Sequence, residues 1–148
     1  MAVGDLTIFN KGLEKIQNGS WAGADVMFLA ICDNTTVPAV AATPVPVLAD
    51  FTQVGVLGNY ISGGISLGAL STLITEAAGV ITFDSAVNPE WLADAGNDVD
   101  AMWGIIYNNA GVNKECLGFV ELGTVDMSVD PLQVIWNSLG LYTIANNG

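Results

Sequence analysis

The sequence contains no histidine and no arginine, and its only basic side chains are Lys11, Lys15 and Lys114. Each absence closes a class of chemistry. Without histidine, a serine or cysteine nucleophile has no imidazole to take its proton. A Ser-Lys pair would need one of three lysines, and none stands beside a serine in a recognisable motif. Nucleic-acid binding draws its affinity from cations that displace counterions from phosphates. Fifteen acids and a net charge of -12 instead repel a polyanion, so nucleic acid is not an expected partner.

Cysteine is nearly as scarce. Cys32 and Cys116 each end or begin an apolar run, "VMFLAIC" and "CLGFVEL". Both read as buried free thiols, with a disulfide left open. Two distant cysteines, no histidine and no Cys-x-x-Cys spacing leave no zinc site to expect. Long apolar runs are missing too. A spanning helix needs about 20 nearly unbroken apolar residues, and the nearest stretch, Val54 to Ile74, is interrupted by Asn59, Ser62, Gly63, Gly64, Ser66, Gly68, Ser71 and Thr72. No membrane partner is expected. The start has Asp5 and no basic segment before its first apolar residues, so it does not read as a secretory signal.

What the chain has in excess is hydrophobicity. Apolar residues make up 51% and charged ones 12%, where an ordinary soluble domain carries about 25% charged residues. Without a membrane to receive it, that apolar surplus points to contacts between protein subunits. The length of 148 residues fits one domain, 1–148.

Leu6, Phe9, Leu13 and Ile16 recur at helical spacing, which predicts an amphipathic helix over 5–18 with Asp5 as N-cap and Gly19 as stop. Ala24 to Cys32 reads as a strand covered on both faces. The stretch 33–50 carries Pro38, Pro44 and Pro46, which remove backbone donors and favour extended conformations. It is expected to be an arm, offering its prolines to another subunit. Short strands then follow between turn residues: Gly64–Thr75, Gly79–Asp84, Ala101–Asn108, Cys116–Leu122, Leu132–Asn137 and Leu139–Ala145. In "MWGIIYNN", Trp103, Ile105 and Tyr107 alternate with Met102, Gly104 and Ile106. Both faces are apolar, so this strand is expected to be central. The predicted class is mainly β, a two-layer antiparallel sandwich of Ig-like or jelly-roll-like type with one N-terminal α-helix.

Four features merit a test for chemistry. "DAGNDVD" gathers Asp94, Asn97, Asp98 and Asp100, but lacks the EF-hand spacing and closing glutamate, and reads as a solvated acidic loop. No pair of acids is singled out for glycoside hydrolysis. Among the tryptophans, Trp103 and Trp136 lie in apolar strands and read as core, whereas Trp91, after Pro89 and before the acidic loop, is the one expected to face a partner. "NYISGGISL" has the Gly-Gly of a phosphate loop, but no lysine follows and the next residues alternate like a strand. Gly63 and Gly64 are therefore expected to bend a strand or admit another backbone, with Tyr60 packed beside them.

"GNYISGGISL", an acidic stretch leading to a Trp, "AMWGIIYNN", "CLGFVELG" and "LQVIWNSLGLYTI" together resemble small virion proteins of tailed bacteriophages. In that group a Tyr-x-x-Gly-Gly segment, matched by Tyr60, Gly63 and Gly64, precedes strands like Met102–Asn108 and Leu117–Gly123. The chain closes on Trp-Asn-x-x-Gly, matched by Trp136, Asn137 and Gly140. The resemblance covers most of the chain from Tyr60 onward; the N-terminal helix and the Pro-rich loop have no counterpart in it. It implies a non-enzymatic capsid decoration or cement protein without cofactor or metal, made in the host cytoplasm and seated on the capsid exterior. Its partners would be the major capsid protein and further copies of itself, with a trimer favoured. A tail or head-tail junction component, and a carbohydrate-binding module of a tail fibre using Trp91, are the alternatives. Interface candidates are the stripe Leu6, Phe9, Leu13 and Ile16, the arm residues Pro38, Pro44 and Pro46, and Trp91.

Overall fold

The computed structural model describes residues 6–77, 80–136 and 142–145. Its centre is built by the three most apolar segments: β2 (Val26–Cys32), β7 (Ala101–Asn108) and β8 (Cys116–Val125). With β1 (Leu6–Ile8) and β3 (Ile65–Ala69) they form an antiparallel sheet in the order β1-β8-β7-β2-β3. β7 lies in the middle, as its two apolar faces require.

Strand alternation sends Met27, Leu29 and Ile31 to one face of β2 and Ala30 and Cys32 to the other, so each face has its own core. A bulge shapes the second face. Ile106 opposes Gly118 but Tyr107 opposes Cys116, which leaves Leu117 as an extra residue. That step turns Leu117 toward the first core and brings Cys116 beside Phe119 in the second.

The layer over the first face consists of two small sheets. β4 (Ile74–Ala77), β5 (Val80–Phe83) and β10 (Tyr142–Ala145) pair in the order β10-β5-β4 and contribute Phe83. β6 (Glu90–Trp91) and β9 (Leu132–Gln133) form a ribbon that contributes Trp91 and Leu132. Among the described residues the fold is mainly β with one helix longer than a turn, α1 (Asn10–Gln17). Among the described residues no helix is long and apolar enough to cross a membrane.

Four expectations need correction. The predicted helix begins late, because Leu6 to Ile8 pair with Gly118 to Val120 as an edge strand, and Phe9, not Asp5, stands at the N-cap position. Sheet pairing overrides the helical spacing of Leu6. The predicted strand 64–75 breaks into β3, one helical turn α2 (Leu70–Leu73) and β4. Leu70 and Leu73, three apart, are both buried, an outcome a helical turn allows and strand alternation opposes. Predicted strand 132–137 pairs only at Leu132 and Gln133, and Trp136 lies outside any strand. β6 was not expected at all. Of the predicted strand 139–145, residues 139–141 lie outside the described residues, as do Asn137 and Gly140.

The Pro-rich stretch is the cover of the second face. Pro38, Pro46, Leu48 and Phe51 are buried, and Leu48 and Phe51 join the core with Phe9 and Phe119. Backbone bonds strap it down: Cys116 N donates to Pro46 O at 2.7 Å, Leu48 N to Lys114 O at 3.0 Å, and Asn10 N to Val40 O at 3.0 Å. Prolines lack N–H groups, so such a segment covers a sheet face without orphaning donors there.

Candidate functional site

Gly63 and Gly64 lie where the chain enters β3, and both have positive φ, 91° and 76°. A Cβ on Gly64 would sit 1.8 Å from the Leu29 carbonyl oxygen, so only hydrogen fits at this crossing of backbones. The Tyr107 hydroxyl donates to Gly63 O at 2.9 Å, and Gly63 N donates to Gln53 Oε1 at 2.6 Å. Tyr60 closes the node: its hydroxyl accepts from Ile31 N at 3.0 Å and donates to Gln53 Oε1 at 3.0 Å. Burial pushes the Tyr60 phenol well above its ordinary range, and burial with the nearby Cys116 and Cys32 raises Tyr107 to about 12. Both stay protonated donors at neutral pH. The Gly-Gly pair is thus a bend and a close backbone approach, as expected, and no lysine lines it. Tyr60→Phe leaves the buried Ile31 N–H without its acceptor and is expected to cost about 2 kcal/mol in urea unfolding; an unchanged midpoint would contradict this role.

Trp91, expected to face a partner, is 4% exposed. Its pairing with Leu132 lays the indole against the Tyr60 ring, with centroids 5.9 Å apart, a contact of about 1 kcal/mol beyond area burial. It is not available for stacking on a sugar. Phe9 is fully buried between Phe51 and Phe119, and Leu6, Leu13 and Ile16 are half-buried, with Leu6 and Ile16 on the first core. The helix stripe therefore faces its own sheet, closely enough that a Cβ on Gly12 would sit 2.6 Å from Leu117 O. Of the proposed contact residues only Pro44 is exposed. Trp103 is core and packs edge-on against Phe119; Trp136 is half-buried, with its indole N–H donating to Val87 O at 2.6 Å.

The cysteines are free and buried. Burial, then the charge of Asp33, raises Cys32 to about 12, and burial raises Cys116 as well. Neither has the thiolate character that reactivity needs.

Two clefts among the described residues are lined in part by carboxylates. The first, about 300 Å³, is lined by Trp21, Asp25, Asn108 and Glu115 among others. Its carboxylates serve the fold: Asp25 accepts from Ala22 N and Asn108 Nδ2, and Glu115 accepts from Lys15 Nζ at 2.9 Å and Trp21 Nε1 at 3.1 Å. Burial opposes the Glu115 charge, but those two bonds and the lysine's charge outweigh it and hold the carboxyl below its ordinary 4.5. A depressed folded value means stability that is present above about pH 4.5 and lost as pH falls through the folded value. Glu115→Gln is therefore expected to be less stable than the parent at pH 7 and to converge on it as pH falls through the folded value of Glu115; a gap independent of pH would exclude the linkage.

The second cleft, about 290 Å³, is lined by Ile61, Glu90, Trp91 and Leu92 among others. The loops around it meet at Asn97, which is buried although it falls in the acidic stretch expected to be solvated. Its Oδ1 accepts from Asn59 N at 3.0 Å and Tyr60 N at 3.3 Å; its Nδ2 donates to Asn59 Oδ1 at 3.0 Å and reaches the Leu92 and Met127 carbonyls at 3.2 Å. Asp98 adds a bond from Gly55 N, and Asn59 Nδ2 donates to Leu92 O at 2.7 Å. Three loops are thereby locked into one platform, from which Leu57, Ile61 and Leu92 project at 90%, 73% and 64% exposure. Sequence reading did not single out Leu57, Ile61 or Leu92, and it placed Asn97 only in a solvated acidic loop. Among the described residues no group of three or more acidic or cysteine side chains is placed to hold a metal ion. No protein-family model, curated protein or solved structure matches this chain.

Proposed function

We propose that this chain is a non-enzymatic structural protein of a tailed-phage virion, a decoration or cement protein that binds the capsid exterior and stabilises it through subunit contacts. The observation that carries this reading is the platform itself. Large aliphatic side chains stand in water on loops that a buried amide holds rigid. A monomer gains nothing from that arrangement, whereas an assembly does, since the ordering cost of docking is already met. The resemblance of the segment from Tyr60 onward supports the same reading. The strong negative charge suits a protein kept soluble until it docks. Its partners in this reading are the major capsid protein and further copies of the chain.

The test is addition of the purified protein to heads that lack it. Saturable binding and a raised disruption temperature are expected. Binding to tails with none to heads would sink the decoration role and favour a tail or head-tail junction component.

A further inference from the structure

We infer that the platform of Leu57, Ile61 and Leu92 is the docking surface for a lysine-bearing protein other than this chain, an inference that rests on the virion reading above and names its contact. Ile61 and Leu92 face one cleft, and Leu57 stands on the adjoining turn, whose carbonyl lies close against Gly96 of the acidic loop. All three side chains are exposed, and nothing among the described residues covers them.

Charge selects the occupant. Two of the three loops that build the platform, residues 54–64 and 90–100, contain Glu90, Asp94, Asp98 and Asp100 and not one lysine. Glu90 lines the cleft, and Asp94 is exposed beside Leu92. An apolar surface rimmed by carboxylates is complementary to aliphatic side chains flanked by cations. A second copy is poorly equipped to supply them. Lys11 is paired with Glu14 at 2.5 Å, Lys15 with Glu115 at 2.9 Å, and Lys114 stands 5.7 Å from the centroid of the Tyr107 ring. With a net charge of -12, copy-on-copy contact through this face would also set like charges together. The occupant is thus a different polypeptide that presents lysines around an apolar contact. Contacts between copies, if the protein is a trimer, use another face.

Hydroxyl-radical footprinting of particles against the free protein tests this, with Val112, fully exposed on the hairpin between β7 and β8, as reference. Oxidation of Leu57, Ile61 and Leu92 is expected to fall at least fivefold in the particle. Equal oxidation in both states overturns the inference. Carbodiimide treatment of particles is expected to join Glu90 or Asp94 to a lysine of a different polypeptide. Failure to form that link, or its formation with a second copy, overturns the choice of occupant. Separating heads from tails keeps the two ideas apart. A protected platform on a tail leaves the docking surface standing and sinks head decoration; an unprotected platform on a head does the reverse. A chain missing from particles sinks both.

Discussion

Gly64→Val is expected to cost the protein a large part of its folding stability. Valine at φ 76° is strained in itself, at about 1–3 kcal/mol. Its Cβ would also fall 1.8 Å from Leu29 O and 2.8 Å from Ala30 Cα, atoms of a central strand that cannot retreat. Overpacking adds about 1–3 kcal/mol even where side chains can shift, and here backbone must move. The sum is about 4 kcal/mol or more, a large part of a total stability of about 5–15 kcal/mol. Gly63→Val is the internal control. It carries the same strain, but its Cβ meets only the Tyr107 hydroxyl, at 3.1 Å, so it is expected to fold with reduced stability. Soluble yield and urea unfolding of the two variants read this directly. A Gly64→Val protein with a parental midpoint would mean that the crossing of β3 on β2 is not as close as described.

Asn97→Ala is expected to lose about 3 kcal/mol and to loosen the platform. The amide satisfies two backbone N–H groups and reaches two carbonyls across three loops. Deleting it leaves buried donors and acceptors that each cost about 1–3 kcal/mol when no water replaces the partner. Asn97→Asp separates the parts. A carboxylate keeps the acceptor role toward Asn59 and Tyr60 but turns charge toward the Leu92 and Met127 carbonyls. It is expected to be destabilised at neutral pH and to recover part of the loss in acid, as the carboxyl protonates. Hydrogen exchange at Asn59 and Tyr60 should quicken in Asn97→Ala at pH 7, and less in Asn97→Asp, which keeps their acceptor. Unchanged protection there would show that the loops are held by something other than this amide.

Parts of the molecule were legible because one local rule decided them. Two apolar faces over Ala101–Asn108 required a central strand, and β7 is central. Gly-Gly without a following lysine, ahead of alternating residues, required a backbone device in place of a phosphate loop. The misreadings share a different cause. Leu6 fits a helix stripe and an edge strand equally, and only its pairing with Val120 decides. Pro38 and Pro46 have the composition of an arm reaching outward, yet the same lack of donors suits them to lie over a sheet face. Trp91 next to acids looked exposed until the β6–β9 ribbon placed it on Tyr60.

The platform was the least legible feature. Leu57 and Ile61 are apolar residues in a Gly-rich segment, indistinguishable in sequence from the buried Val54 and Leu67 on either side. Asn97 sits in a run of acids, where an amide that bonds three loops at once resembles any polar loop residue. Its role comes from contacts 30 to 38 positions away in the chain, and composition carries no trace of them. Exposure is likewise a property of the fold, and the proposed docking rests on the exposure of Leu57, Ile61 and Leu92.

An image reconstruction of a phage particle carrying this chain tests the virion reading most directly. Density for the protein is expected on the outside of the head shell, with the loops bearing Leu57, Ile61 and Leu92 turned toward the major capsid protein. Density confined to the tail, or a head surface without it, would contradict the account.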